Sequence, residues 1–158
     1  MQTVPANSAP SNSAPSQSAP SEPTRFLEMI FPEQANHYGT LFGGTALGMM
    51  GKAAFIAASR HARQAVVMAA SQQIDFHVPV KVGQLVELDA RVVRIGRSSM
   101  TVEVDVTAET LLSGDRRLAM TGRFEMVAVD TTGQPTPLPT SLSPPLSGNS
   151  ASPISPLL

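Results

Sequence analysis

The sequence predicts an α+β domain in which one antiparallel sheet curls around one long helix. Residues 45–62 predict the helix, because this stretch contains no proline and is dominated by Ala, Leu, Met, Phe and Ile. Residues 86–92 and 101–106 predict two strands, because apolar and polar side chains alternate there and a period of two gives one buried and one solvated face. A strand, a buried helix and then a series of hairpins is typical of an α+β fold.

The predicted helix is apolar on nearly every side. Its polar side chains gather at Lys52 and at residues 59–61 near its end. Such a helix must be buried on most of its faces, and its many Gly and Ala residues let strands approach it closely. At 1.5 Å per residue it spans about 27 Å, which is too short for a membrane once Lys52 and the basic end are counted. We therefore expect a central helix wrapped by a sheet, and no membrane contact.

Three further segments predict strands around this helix. Residues 25–31 give a short first strand, residues 66–76 follow the helix directly, and residues 123–129 supply the last strand. Residues 95–99 and 112–115 separate the later strands and have the length and composition of antiparallel hairpin connections.

The two ends of the chain differ in composition from this unit. Residues 1–23 are rich in Pro, Ser, Asn and Ala and contain a five-residue repeat over residues 7–21, so they bury too little apolar surface to order themselves. They also lack the basic start and apolar run of a secretory signal. Seven prolines interrupt residues 131–158, which predicts a disordered C-terminal tail. The domain itself is predicted to cover residues 24–130.

Composition excludes several classes of function. A net charge of −1, 4% aromatic residues and no Trp provide neither the basic field nor the stacking surfaces that nucleic acids require. The absence of Cys excludes disulfides, thiolate nucleophiles and Cys-based zinc sites, and makes the cytoplasm the expected location. The three histidines, His37, His61 and His77, show no spacing typical of a metal site. No Gly-x-Ser-x-Gly elbow is present, which argues against an α/β serine hydrolase.

Three local motifs, taken in order, resemble those of the hotdog-fold acyl-CoA thioesterases. They are Asn36-His37-Tyr38-Gly39 with Phe42-Gly43-Gly44 at the start of the helix, Asp75-Phe76-His77-Val78-Pro79-Val80-Lys81-Val82-Gly83, and Gly96-Arg97-Ser98-Ser99. The resemblance covers nearly all of residues 24–130. It implies a sheet wrapped around a central helix, acyl-CoA as the substrate and no cofactor. It also implies a homodimer with continuous sheets, or a tetramer or hexamer built from such dimers, with active sites across the helix interfaces.

The glycine pair at the start of the predicted helix is a candidate oxyanion hole. A helix N-terminus leaves unpaired N–H groups with positive dipole character, and glycines let a substrate carbonyl approach them. We assign Gly44 to catalysis and Phe42 and Gly43 to substrate binding. The alternative is that the glycines only permit a tight turn before the helix.

Asn36 is a candidate for orienting a carbonyl or an attacking water through its amide. In the family, an Asn at the matching place is paired with an acid on the central helix. The alternative for Asn36 is an Asx turn or a helix cap.

The acid itself is missing. Relatives with this signature carry Asp or Glu seven residues after the glycine pair, as nucleophile or base, and this sequence has Gly51 there. Losing a positioned base commonly costs about 10² to 10⁴ in rate. Three explanations stay open: another group is recruited, the chain binds without hydrolysing, or the acid was deliberately removed.

Several residues are candidates to replace it. Asp75 is the first choice, ahead of Glu28 and Glu33, although an acid at a strand edge is commonly a surface charge. His37 lies next to Asn36 and could reach the reacting centre, whereas the alternative is a hydrogen-bonded residue of the turn. Lys52 could hold an anionic substrate, or could simply extend its amine into water.

The Arg97-Ser98-Ser99 turn is a candidate phosphate site for coenzyme A. Backbone N–H groups, hydroxyls and a guanidinium can together hold a phosphate, whereas the alternative is an ordinary polar hairpin turn. Further candidates for the nucleotide end of the substrate are Arg60, Arg63, Arg116 and Arg117. Met49, Met50 and Phe55 either line an acyl tunnel or pack in the core.

The sequence thus predicts an acyl-CoA thioesterase that hydrolyses fatty acyl-CoA to free acid and coenzyme A, with activity impaired by Gly51. The alternative is a catalytically silent subunit that binds acyl-CoA. A dehydratase of the same fold would need a catalytic His with an acid on the helix, so the same vacancy argues against it.

Overall fold

The computed structural model describes residues 22–139, and within them five antiparallel strands form one sheet that carries one long helix on one face. The elements are β1 Thr24–Met29, a 3-10 helix Pro32–Gln34, α1 Gly43–Ala62, β2 Val66–Phe76, β3 Leu85–Ile95, β4 Ser99–Thr110 and β5 Asp115–Ala128. The strand order is β1-β3-β4-β5-β2, so β1 and β2 form the two edges of the sheet. The predicted α+β architecture is confirmed.

The core lies between α1 and the inner face of the sheet. β4 directs Val102, Val104 and Val106 toward the helix, and each is almost completely buried. The helix meets them with Met50 and with alanines such as Ala54, both fully buried. Because alanine side chains are short, they allow the helix to pack closely against the strands.

Some element boundaries differ from the prediction. The helix starts at Gly43, two residues before the predicted start at residue 45. The last strand starts at Asp115 rather than at residue 123, because Thr110 and Asp115 already pair across the β4–β5 turn. The first strand ends at Met29, before Pro32 opens the 3-10 helix.

The helix is buried on one side only, contrary to the prediction that most of its faces would be covered. Leu47 is 38% exposed and Phe55 is 46% exposed on its open side. A five-stranded sheet from one chain covers only the opposite side of α1, so these apolar residues stay partly exposed in the described part of the chain.

The outer face of the sheet is charged and carries most of the ion pairs. Arg25 Nε donates to Asp89 at 2.9 Å, and Arg123 pairs with Glu103 at 3.0 Å. Such exposed pairs each contribute little to stability, but they keep the face opposite the helix polar.

The charge of Asp105 on this outer face is expected to lower the stability of the fold at neutral pH. Burial raises the pKa of the Asp105 carboxyl, the neighbouring Glu103 raises it further, and Arg91 at 3.6 Å only partly offsets this. Because the folded-state pKa lies above the unfolded value, stability falls as pH rises through that interval and the penalty is present at neutral pH. We expect Asp105→Asn to raise the Tm at pH 7 and to lose this gain below the ordinary pKa of aspartate.

Thermal unfolding at pH 7 and pH 3 measures the effect. Asp89→Asn is the matched control: it removes an acid from the same row, but it also breaks the 2.9 Å pair with Arg25. An Asp105→Asn variant that is no more stable than the parent at pH 7 would contradict the argument.

Residues 131–139, which the sequence assigns to the tail, follow the end of the sheet. The Thr136 N–H donates to the Ala128 carbonyl at 2.9 Å, and the Leu138 N–H donates to the Arg97 carbonyl at 2.8 Å. The Leu138 side chain packs against the core. The predictions of disorder for residues 1–21 and 140–158 lie outside the described residues. In the part that is described, α1 is not apolar enough over its length to cross a membrane.

Candidate active site

A cavity of about 310 Å³ opens at the N-terminus of α1. Its walls come from the segment before the helix, the start of the helix, the end of β2 with the segment that follows it, and β5. The lining residues are Thr40, Leu41, Gly43, Phe76, His77, Val78, Pro79, Val80 and Met120. The cavity is therefore largely apolar, with the first residue of the helix in its wall.

The start of α1 has no side-chain cap. Phe42 occupies the N-cap position in an extended conformation, and its phenyl ring cannot accept a hydrogen bond from the first turn. A helix start leaves its first N–H groups without intrahelical acceptors, so the N–H groups of Gly43 and Gly44 are available to a ligand. The helix dipole makes this position favourable for a carbonyl oxygen that gains negative charge.

The two glycines have different surroundings. A Cβ on Gly43 would lie 3.7 Å from the Phe76 ring, which is an ordinary contact, so the fold does not require glycine there. A Cβ on Gly44 would lie 2.7 Å from a carbon of the Phe42 ring, so the observed position of that ring depends on glycine. Gly43 lines the cavity, whereas Gly44 is exposed beside Phe42. The geometry thus favours Gly43 over Gly44 as the residue nearest a bound carbonyl.

Asn36 forms an Asx turn beside this cavity. Its side-chain Oδ1 accepts from the Tyr38 N–H at 2.9 Å and from the Thr40 N–H at 3.3 Å. The Thr40 hydroxyl donates to the same oxygen at 3.2 Å. The turn therefore fixes the amide plane, and its Nδ2 group is left as a donor. The Asx turn, which the sequence offers as the alternative interpretation of Asn36, is therefore present, and it orients the Asn36 amide.

Gly51 is buried on the side of α1 that faces β2. A Cβ at this position would lie 2.9 Å from the Cε of Met68 on β2. Met68 was not singled out from the sequence. The alternation of Val66 and Met68 on one face of β2 was the available signal, but apolar residues on both faces of residues 66–70 obscured it.

The candidate replacement acids do not converge on the cavity. Asp75 pairs in register with Thr121 and lies with Glu103 and Asp105 on the outer face, so the sheet separates it from Gly51 in this chain. The expectation that Asp75 replaces the helix acid is wrong for this reason. Glu28 accepts a hydrogen bond from Gln34 at 2.6 Å.

The other polar candidates are also displaced from the cavity. Glu33 and Lys52 are exposed. His37 is exposed and its ring lies against that of Tyr38 at a centroid distance of 3.9 Å, tilted by 40°. His77 lines the cavity, but its Nε2 lies 3.2 Å from the Thr121 hydroxyl on the outer face. From the sequence alone, this histidine is considered only as a metal ligand. None of the residues lining this cavity carries a carboxylate.

The Arg97-Ser98-Ser99 turn lies at the opposite end of the sheet. Ser99 pairs with Val127 near the end of β5, whereas Met120 near its start lines the cavity. At about 3.4 Å per residue the two points are about 24 Å apart. The Arg97 side chain is exposed, and the Arg97 carbonyl is held by Leu138. One chain therefore does not bring the candidate phosphate site to its own cavity.

The other residues proposed to bind the nucleotide or the acyl chain also do not line this cavity. Arg60 and Arg63 lie at the end of α1, on the side of the Arg97 turn. Arg116 is engaged with Glu87 and Glu109 on the outer face, and Arg117 is exposed. Met49 and Met50 are core residues, whereas Phe55 lies on the open side of the helix.

Comparisons with known proteins agree with this fold. The family described as Thioesterase superfamily matches residues 38–114. An uncharacterized acyl-CoA thioester hydrolase of Bacillus subtilis is 39% identical over 110 residues, which is 70% of this chain and 64% of the relative, slightly under two thirds of its length. The crystal structure of an apo-hexameric acyl-CoA thioesterase superposes with a TM-score of 0.72 at 39% identity, over 74% of this chain and 75% of that one.

An acyl-CoA hydrolase from Staphylococcus aureus, solved with butyryl coenzyme A, coenzyme A and coenzyme A disulfide, superposes with a TM-score of 0.71 at 32% identity over 74% of this chain and 71% of that one. The same enzyme was solved with an asparagine, an aspartate or a threonine replaced by alanine. In its sequence the aspartate follows the asparagine by fifteen residues, and the threonine follows the aspartate by seventeen. These similarities and the antiparallel sheet on one long helix show that the chain belongs to the acyl-CoA thioester hydrolases of the thioesterase superfamily.

Proposed function

We propose that this chain binds an acyl thioester of coenzyme A and hydrolyses it at the cavity beside α1. The observation that carries the proposal is the uncapped helix start, with Gly43 in the wall of an apolar cavity. Open N–H groups at such a place can hold a carbonyl oxygen while it becomes an oxyanion, which is commonly the largest single contribution to acyl transfer.

The reaction needs few parts from the protein. The oxygen of a water molecule adds to the thioester carbon and the carbonyl oxygen becomes an oxyanion held by the N–H groups at the start of α1. The tetrahedral intermediate then collapses, the carbon–sulfur bond breaks, and the thiolate of coenzyme A takes up the proton released by the water. Asn36 is suited to orient the water or the carbonyl, because its oxygen is fixed by the Asx turn and its Nδ2 group can donate. No cofactor enters this scheme.

A homodimer would complete the site. β2 is an edge strand, and Val67, Met68 and Phe76 on it are each more than 40% exposed, next to the open side of α1 with Phe55. Pairing β2 with its copy across a two-fold axis would cover these residues and join the two sheets. Tetramers or hexamers built from such dimers fit the hexameric relative.

The same two-fold axis would bring the candidate phosphate site of one chain close to the cavity of the other. Antiparallel pairing of two β2 strands brings the Val66 end of one chain beside the Phe76 end of the other. The Arg97 turn lies near the Val66 end and the cavity near the Phe76 end. We therefore propose that Arg97, Ser98 and Ser99 of one subunit hold a phosphate of the coenzyme A bound at the cavity of the other.

The expected location of this enzyme is the cytoplasm, which the absence of cysteine supports.

A second function is favoured by a specific observation at Gly51. By the spacing of the S. aureus enzyme, Asn36 falls at its asparagine and Gly51 at its aspartate. No carboxylate lines the cavity in the described part of this chain. A subunit that binds acyl-CoA without hydrolysing it would keep the helix start and the phosphate turn and would need no acid.

Two measurements on the full chain test the proposal. Release of free thiol from acyl-CoAs of short to long chain length reports hydrolysis, and titration calorimetry with coenzyme A reports binding. We expect binding together with slow hydrolysis, reduced by about 10² to 10⁴ relative to an enzyme with a positioned base. Binding without thiol release would favour the silent subunit, and absence of both would contradict either function.

A further inference from the structure

We propose that Met68 has taken over the space of the missing helix acid, so that Gly51 and Met68 form one coupled, apolar replacement of a catalytic pair. The inference rests on the proposed function and its dimer: Gly51 and Met68 do not line the cavity of their own chain, but antiparallel pairing of two β2 strands would bring the Val66 end of β2, where Met68 lies, beside the cavity of the other chain. It predicts that an acid restored at position 51 works only when Met68 is shortened at the same time.

The contact between the two residues is the first observation. Gly51 is buried in the middle of α1, and Met68 lies opposite it near the start of β2. A Cβ on residue 51 would approach the Met68 Cε to 2.9 Å, closer than carbon atoms of unbonded groups normally come. The neighbour is the end of a flexible side chain, so an alanine at 51 is tolerable, but a carboxylate needs the volume that the methyl group fills.

The spacing of the S. aureus variants is the second observation. Counting fifteen residues from Asn36 reaches Gly51, and counting seventeen more reaches Met68. The aspartate and the threonine of that enzyme therefore correspond by position to two residues that face each other here, since a Cβ on Gly51 would meet the Met68 Cε.

The chemistry of the two changes is complementary. On the helix, glycine stands in place of the acid and takes less volume. On the strand, the long thioether of methionine stands in place of the hydroxyl residue and takes more volume, so the loss is matched by the gain. Methionine is well suited to fill an irregular gap. A lone aspartate at 51 would face a methyl group instead of a hydrogen-bond donor, and buried charges without partners are strongly disfavoured. The pair thus closes the position of the base with an apolar wall.

A double-mutant cycle tests the coupling. Thiol release is measured for the parent, Gly51→Asp, Met68→Thr and the double variant at equal folded concentration. We expect each single variant to stay within about threefold of the parent and the double variant to gain about a hundredfold or more, since a positioned base contributes about 10² to 10⁴. Gly51→Asn/Met68→Thr is the matched control, because it has the same shape without a base and is expected to stay slow.

The outcomes separate the inference from the function it rests on. Full recovery by Gly51→Asp alone would overturn the role of Met68 and leave the thioesterase function standing. A folded double variant that binds coenzyme A but stays silent would also overturn the inference. A parent that neither binds coenzyme A nor releases thiol would instead contradict the proposed function.

A measurement that needs no activity tests the contact itself. The ε-methyl groups of the methionines are labelled with carbon-13, and the Met68 resonance is identified as the one missing from Met68→Thr. Gly51→Ala is expected to shift this resonance more than that of any other methionine, because the new Cβ meets this methyl group directly. An unmoved Met68 resonance would overturn the contact on which the inference rests.

Discussion

Replacing Gly43 with proline is expected to lower kcat for acyl-CoA hydrolysis by about 10² to 10³, the cost of removing one oxyanion donor, while the fold stays intact. Gly43 is the first residue of α1, where proline is favoured because its fixed φ suits the helix and its missing N–H has no intrahelical partner. Phe42 already has φ −67° and ψ 130°, the extended conformation that a residue before proline adopts. The substitution therefore removes a donor from the cavity at no cost to the backbone.

Gly43→Ala is the control for this prediction. It retains the N–H group and adds a methyl group at an ordinary 3.7 Å from Phe76, so its kcat is expected to stay close to that of the parent. Both variants are assayed by thiol release in the parent and in the Gly51→Asp/Met68→Thr background, with Tm as the measure of folding. A proline variant that is folded and as fast as the alanine variant would show that the Gly43 N–H does not hold the oxyanion.

The order of elements was predictable because their periodicities are local. Residues 86–92 and 101–106 alternate strictly, and β3 and β4 contain them both. The predicted limits of the second strand match β2 Val66–Phe76. The helix was recognisable from its long run without proline, although its open side was not, because a partner chain rather than this chain is expected to cover it.

Side-chain directions on β2 were not predictable in the same way. Residues 66–70 are all apolar, so no alternation indicates which face points toward the helix. Two register shifts interrupt the pairing with β5, between Met68 and Ala70 and between Ser71 and Ile74. Only the assembled sheet shows that Asp75 faces outward and that Met68 faces Gly51. Both side-chain directions depend on contacts between elements that are separate in sequence, and a local pattern of apolar and polar residues does not contain that information.

The C-terminal segment illustrates a third limit. Its prolines correctly indicate that no regular strand or helix forms over residues 131–139. They do not exclude single hydrogen bonds to the sheet, such as the one from the Leu138 N–H to the Arg97 carbonyl. Proline removes only its own donor, so the residues between prolines still bond to neighbours.

Mixing two impaired variants is expected to restore activity if the active site is shared between subunits. Gly43→Pro damages the cavity side of a site and Arg97→Ala damages the phosphate side. A mixed dimer then has one doubly damaged site and one intact site, formed by Gly43 of one subunit and Arg97 of the other. Random reassortment makes half of the dimers mixed, so activity below KM is expected to reach about a quarter of the unmutated level.

The matched control pairs Gly43→Pro with Asn36→Ala. Asn36 and Gly43 belong to one cavity in one chain, because the Asx turn of Asn36 ends at Thr40, which lines that cavity together with Gly43. Every site in such a mixture carries a defect, so no recovery is expected. Recovery in the first mixture and not in the second requires the phosphate turn and the helix start to act across the dimer, since within one chain they lie about 24 Å apart along β5. If the first mixture shows only the sum of its parts, each chain must hold coenzyme A by itself, and the anion would then have to be bound by residues nearer its own cavity than Arg97.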